Sequence, residues 1–221
     1  MFDFALLDGK AFINGQLAEA NIYVSNGKIA KISHGKENAE RLINCKNLAI
    51  LPGAIDSHVH FREPGGERKE DWRSGSESAA SGGVTCVFDM PNTKPETVTR
   101  KLLDEKIALA ESKSLIDFGF HFGATNTNHE EIRHLKRAHS VKFYMASTTG
   151  DLLIHDEQAI LKHFQILRER GMLAFAHAED EKMVADATAK VRESGKYGLL
   201  AHAECRPPEA AAKGVQSAIA I

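Results

Sequence analysis

One pattern limits what this 221-residue chain can become: after Pro52, short apolar runs alternate with stretches of helical period, strand then helix, to the end of the sequence. Strands are predicted at 54–60, 85–90, 117–123, 140–145 and 173–178, and helices at 73–81, 99–113, 130–138 and 156–170. Helices that stop at glycines, as at Arg170-Gly171, separated by apolar runs of about five to seven residues, indicate βα units around a parallel sheet. The order of elements favours a barrel over an open sheet. No glycine-rich phosphate loop follows the first strand, because the pair Gly82-Gly83 precedes one instead.

The first 51 residues read differently. Asp8-Gly9, Asn14-Gly15 and Asn26-Gly27 stand between short apolar runs, the signature of tight hairpins, so residues 1–51 form a small antiparallel β unit, the N-terminal part of a β-sandwich. Residues 52–221 form the α/β unit, a (β/α)8 TIM-type barrel. About five strands are countable, whereas a closed barrel takes about 250 residues. The segment from Pro207 starts as a proline-initiated helix and stops without a cap. The expectation is an incomplete barrel belonging to the N-terminal portion of a longer protein, with exposed sheet edges and little stability alone.

Composition excludes several classes. A formal net charge of -2 with scattered Lys and Arg offers no electrostatic footprint for nucleic acid. Cys45, Cys86 and Cys205 form no closely spaced pair, which argues against a disulfide framework or a thiolate zinc site and fits a reducing cytoplasm. No window has the roughly 20 apolar residues of a membrane span, and no export signal is visible.

The chemistry gathers at the predicted strand ends, where α/β barrels keep their active sites. The first strand runs into Asp56-Ser57-His58-Val59-His60-Phe61-Arg62-Glu63-Pro64-Gly65. Residues i and i+2 of a strand share a face, so His58 and His60 can present two imidazoles to one ion. A bare His-x-His could equally be a polar pair on an edge strand; its flanking sequence makes it a metal-site candidate. The second strand ends at Asp89-Met90-Pro91-Asn92, the fourth contains Lys142, and the fifth ends at His177. Three imidazoles and a lysine on one rim suit zinc or another borderline divalent ion, provided the lysine is carboxylated, since an ammonium is a poor ligand.

The first of these motifs, together with Ala79-Ala80-Ser81-Gly82-Gly83-Val84-Thr85, Met90-Pro91-Asn92-Thr93-Lys94-Pro95-Glu96-Thr97 and His177-Ala178-Glu179-Asp180-Glu181, resembles the dihydroorotases, cyclic amidohydrolases of the amidohydrolase superfamily. Allantoinases and hydantoinases share that scaffold, but allantoinases usually carry another residue in place of Arg62 and lack the Met-Pro-Asn-Thr run. The resemblance implies a metal-dependent hydrolase barrel that reversibly cyclises N-carbamoyl-L-aspartate to dihydroorotate in pyrimidine biosynthesis. It implies two zinc ions per complete site, one held by His58 and His60 and the other by His177. The bridging ligand is either carboxylated Lys142 or Asp151. Arg62 and Asn92 would grip the substrate carboxylate, for which a guanidinium fork is the matching donor. The general-base aspartate of the family, and a further histidine ligand, would lie beyond Ile221, so no catalytic residue is assigned within the chain.

The partners implied are the small-molecule substrate and a homo-oligomer or pyrimidine-pathway enzyme, with neither nucleic acid nor membrane. Two alternatives stay open: a related allantoinase or hydantoinase, and a non-catalytic amidohydrolase-like scaffold. Of the other histidines, His34, His129, His134, His139, His155 and His163 are expected in solvent, His121 in packing, and His202 in a loop. Trp72 and the strand phenylalanines are expected in the core.

Overall fold

The computed structural model describes residues 1–147, 152–154 and 156–221. Its contacts divide into two compact units, Met1–Gly53 and Ala54–Ile221.

In the first unit β1 (Phe2–Ile13), β2 (Gln16–Ser25) and β3 (Lys28–Ser33) form antiparallel pairs. Asn14-Gly15 and Asn26-Gly27 turn the chain with positive φ at both residues, as two-residue hairpins demand. The Asp8-Gly9 signal is not a third hairpin. It falls inside β1, where the register against β2 shifts between Leu6 and Gly9, and Asp8 takes its positive φ in that bulge. A second correction concerns β4 (Ala39–Asn44) and β5 (Ala49–Ile50), which both pair parallel to β1, so the sheet is mixed, in the order β3-β2-β1-β4. The crossover that returns the chain to the far side of β1 is pinned by side chains that local patterning does not reveal. The Tyr23 hydroxyl donates to the Gly35 carbonyl at 2.8 Å and accepts from the Glu37 amide at 2.9 Å, while Asn21 donates to the same carbonyl.

The second unit starts with β6 (Ala54–Val59), α1 (Trp72–Ser81), β7 (Val84–Asp89), α2 (Arg100–Lys113), β8 (Asp117–Gly123) and α3 (His129–Arg133). It continues with β9 (Ser140–Tyr144), α4 (Glu157–Arg170), β10 (Leu173–His177), α5 (Glu181–Glu193), α6 (Leu199–Glu204) and α7 (Pro208–Ala220). All neighbouring strands are parallel, in the sequential order β10-β9-β8-β7-β6 of a barrel wall. Local chemistry explains the helix ends: Asp71 and Ser74 make a reciprocal capping box, Thr99 caps α2 through the Leu102 amide, and Gly171 ends α4 with φ of 61°.

Trp72, Phe120, Phe122, Val141, Phe143 and Ile160 are buried in one core between sheet and helices. β6 and β10 each have a single strand neighbour among the described residues, and Ile55 and Leu173 on them are 67% and 66% exposed.

Three expectations need correction. The predicted helix over 130–138 stops at Arg133. Leu135 turns into the core, and the Arg170 guanidinium takes the Ile132 and Leu135 carbonyls that a longer helix would have used. His202 lies on α6 rather than in a loop, though it is exposed as a solvated residue would be. His163 is buried, not solvated. Its ring stacks on half-buried His129 with centroids 4.0 Å apart, and its Nε2 bonds to the Thr125 carbonyl at 2.8 Å. His155 lies outside the described residues.

Burial pushes the His163 imidazole down to about 4, opposed by the Thr125 hydrogen bond and assisted by His129 and Lys162. A histidine held neutral in the fold contributes stability above its unfolded value, near 6.5, and that contribution disappears as pH falls toward about 4. Thermal midpoints of the wild-type chain should therefore fall through this window more steeply than those of His163→Phe. Parallel pH curves for the two proteins would refute the assignment.

Candidate active site

The site is built at the carboxyl ends of the parallel strands. β7 holds its foundation. Asp89, wholly buried, accepts the Phe61 amide at 2.8 Å and faces the Lys106 ammonium of α2 at 2.6 Å, and Lys106 also donates to the Met90 carbonyl at 2.9 Å. The Met90 amide returns a bond to the Val59 carbonyl. These bonds fix the strand exits that carry His60, Phe61 and Arg62 on one side and Asn92 on the other.

The β6–β7 register shifts between Asp56 and Val59, so the end of β6 is bulged. There the His58 and His60 rings stand with centroids 5.4 Å apart. His60 Nδ1 meets Asn92 Oδ1 at 2.8 Å. Both imidazoles are held below their ordinary value. For His58 the cause is partial removal from water and then the Lys142 charge, with His177 adding a smaller push; for His60 it is burial, with Arg62 acting in the same direction against the Asn92 bond. Neutral imidazoles keep the lone pair that a metal needs.

Arg62 follows at φ of 56°, a left-handed conformation unusual for a residue with a β-carbon. Half-buried beside His60, it makes no hydrogen bond or ion pair among the described residues.

Lys142 on β9 is 3% exposed and has no anion beside it among the described residues; its ammonium lies 5.0 Å from the Tyr144 ring centroid. Burial lowers its pKa, which favours the free amine that adds carbon dioxide to become a carbamate. Tyr144, two residues on and hence on the same strand face, is a residue that sequence reasoning missed. Its buried hydroxyl has no partner among the described residues, and burial, then the Asp89 charge, raises its pKa. The i, i+2 spacing from Lys142 was the available signal.

His177 ends β10 with Nε2 bonded to Glu179 at 2.5 Å. His121 is a packing residue: it bonds to Ser140 at 2.6 Å and to the Ser57 carbonyl at 2.9 Å, and stacks near Phe175. Asp151 lies outside the described residues. Among the described residues no three His, Cys, Asp or Glu side chains form a ligating array; His60 and His177 each turn one nitrogen to a polar neighbour and keep the other. The donor chemistry nevertheless fits a borderline divalent ion: neutral imidazoles, and a buried amine with no anion beside it that carbamate formation would turn into an oxygen ligand.

The chain is 38% identical to a dihydroorotase of Methanosarcina acetivorans, over 100% of its own length and 48% of the relative. It is 37% identical to an allantoinase of Bacillus velezensis, over 99% of its length and 49% of that protein. The L-hydantoinase (dihydropyrimidinase) from Arthrobacter aurescens superposes on the whole chain and on 50% of itself with a TM-score of 0.93 at 27% identity. The chain thus spans about half the length of the curated relatives it matches. Residues 49–216 match the amidohydrolase family, and with the full-length similarity to the dihydroorotase this establishes that the chain belongs to it.

Proposed function

We propose that the protein to which this chain belongs is a dihydroorotase, closing N-carbamoyl-L-aspartate to dihydroorotate with loss of water and running the reverse hydrolysis. One observation carries the choice of substrate: Arg62, a half-buried cation with no anion of its own among the described residues, is held in a strained conformation beside the paired histidines. A guanidinium left without a partner at a reactive rim is a receptor for a carboxylate, which dihydroorotate carries on its ring and an uncharged cyclic ureide lacks. Similarity to dihydroorotases over the whole chain supports the same reading.

His58 and His60 would hold one zinc ion and His177 the second, with carboxylated Lys142 bridging them and Asp151 as the alternative bridge. When bound, the metals would supply a nucleophile from water near neutral pH and polarise the ring carbonyl. Arg62 orients the substrate by its carboxylate. Asn92, bonded to His60, steadies that ring and would add an amide donor to the substrate carboxylate. In the hydrolytic direction the amide C–N bond breaks and the ring nitrogen takes up a proton. A cytoplasmic location, an oligomeric enzyme and a place among pyrimidine-forming reactions belong to this proposal. Among the described residues, no helix is long and apolar enough to cross a membrane.

The second reading, a hydantoinase- or allantoinase-like enzyme, is favoured by the similarity to such proteins over nearly the whole chain. Turnover of dihydroorotate against hydantoin by the full-length protein separates the two. With Arg62→Ala, kcat/KM for dihydroorotate should fall on the order of 100-fold or more, the cost of losing a desolvated charge pair. Undiminished dihydroorotate turnover in a folded Arg62→Ala protein, or a wild-type preference for hydantoin, would reject the assignment.

A further inference from the structure

Beyond the direct ligand set, a buttress stands behind His177. Glu179 accepts from Nε2 of that ring, and the Arg206 guanidinium, at the corner between α6 and α7, forms an ion pair with the same Glu179 oxygen. Arg206 donates in addition to the Ser147 carbonyl at the exit of β9, while Glu181 accepts from the Ser147 amide and hydroxyl. The segment carrying Glu179 is itself clamped by α7: the Asp180 amide donates to the Ala210 carbonyl at 2.9 Å, and Lys213 pairs with Asp180 at 2.6 Å. Gly214 permits this closeness, because a β-carbon there would come within 2.5 Å of the Glu179 amide nitrogen.

We propose that Glu179, held by Arg206, is a positioning residue that fixes His177 as the Nε2–H tautomer and so presents Nδ1 as its ligating atom. The Glu179 oxygen that meets Nε2 also accepts from the Arg206 guanidinium, so that oxygen is the acceptor of the shared bond and Nε2 its donor. In the neutral ring the lone pair then lies on Nδ1. Partners of this kind set both ring orientation and ligand basicity in metal sites. The network also ties the exits of β9 and β10 together, so the strand bearing Lys142 and the strand bearing His177 are held in register where an ion would need both. The tautomer stands without a metal; its consequence for ligation rests on the metal-binding reading above.

The test is 15N NMR of histidine ring nitrogens in the full-length protein without metal, at a pH where the rings are neutral, together with zinc titration of the same samples. Wild-type His177 should show a protonated Nε2 and a bare Nδ1. Glu179→Ala should give a mixture of tautomers and zinc affinity lower by about 10- to 100-fold. Glu179→Gln, whose amide oxygen can still accept, should retain the tautomer, and Arg206→Gln should loosen it. A proton on Nδ1 in the wild type, or a folded Glu179→Ala protein with unchanged tautomer and zinc affinity, would overturn the proposal. Should Glu179→Ala fail to fold, the wild-type and Glu179→Gln spectra decide. If the tautomer depends on Glu179 yet no zinc binds, the positioning role stands and the metal reading fails. Zinc binding that is indifferent to Glu179 upholds the metal reading and rejects the positioning role.

Discussion

Lys106→Met is expected to cost about 3 to 5 kcal/mol of stability, the usual penalty for stranding one partner of a buried ion pair. Lys106 and Asp89 are both shut away from water, and the pair at 2.6 Å supplies the counter-charge that Asp89 needs there. Methionine fills nearly the same volume, so the loss reflects charge and hydrogen bonding rather than a cavity. The Lys106→Met and Asp89→Asn double variant should recover much of the loss, because the uncompensated carboxylate is gone. Urea unfolding reads both, the midpoint moving while its slope stays constant. A single-variant cost below about 1 kcal/mol would mean that Asp89 finds other compensation, and the pair would not be the foundation it is taken for. The consequence for the site is direct: Asp89 holds the Phe61 amide, and the residues on either side of Phe61 are His60 and Arg62.

Lys142→Met should act in the opposite direction on stability and abolish function. The lysine is as deeply buried as the neighbouring core side chains but has no anion among the described residues to offset the loss of hydration. Replacing it with an apolar chain of similar length should stabilise the metal-free protein by about 1 to 3 kcal/mol. The same change removes the one group on β9 that can form a carbamate, so zinc content should fall with activity. Stability sacrificed at a reactive position is the expected trade in an enzyme. Thermal unfolding and zinc analysis of the variant give the two readings. A destabilised Lys142→Met protein that keeps its full complement of zinc would mark Lys142 as structural, and Asp151 would become the bridging candidate.

Much of this architecture was legible in the sequence because its signals are local. The five strands of the second unit lie within a residue or so of their expected bounds, since an apolar run between helices needs no distant information. The Asn-Gly hairpins are where positive φ requires them. Errors occurred where a distant side chain decided the outcome. The Arg170 guanidinium ends α3 early, and Tyr23 with Asn21 pins the crossover that makes the first sheet mixed. His163 looked like a polar helix residue because only its packing against His129 and Phe143 sets it inside.

The sequence by itself determined which chemistry-bearing residues stand at strand ends, because the strand period and the Pro-Gly and Met-Pro-Asn breaks fix where each strand stops. Tertiary structure alone decided their electrical state. Among the described residues Lys142 lacks a counter-ion and Arg62 lacks an anion, while His177 has its Nε2 taken by a carboxylate that Arg206 anchors from far along the chain. Charge and protonation depend on burial and on neighbours distant in sequence. No local pattern encodes those distances.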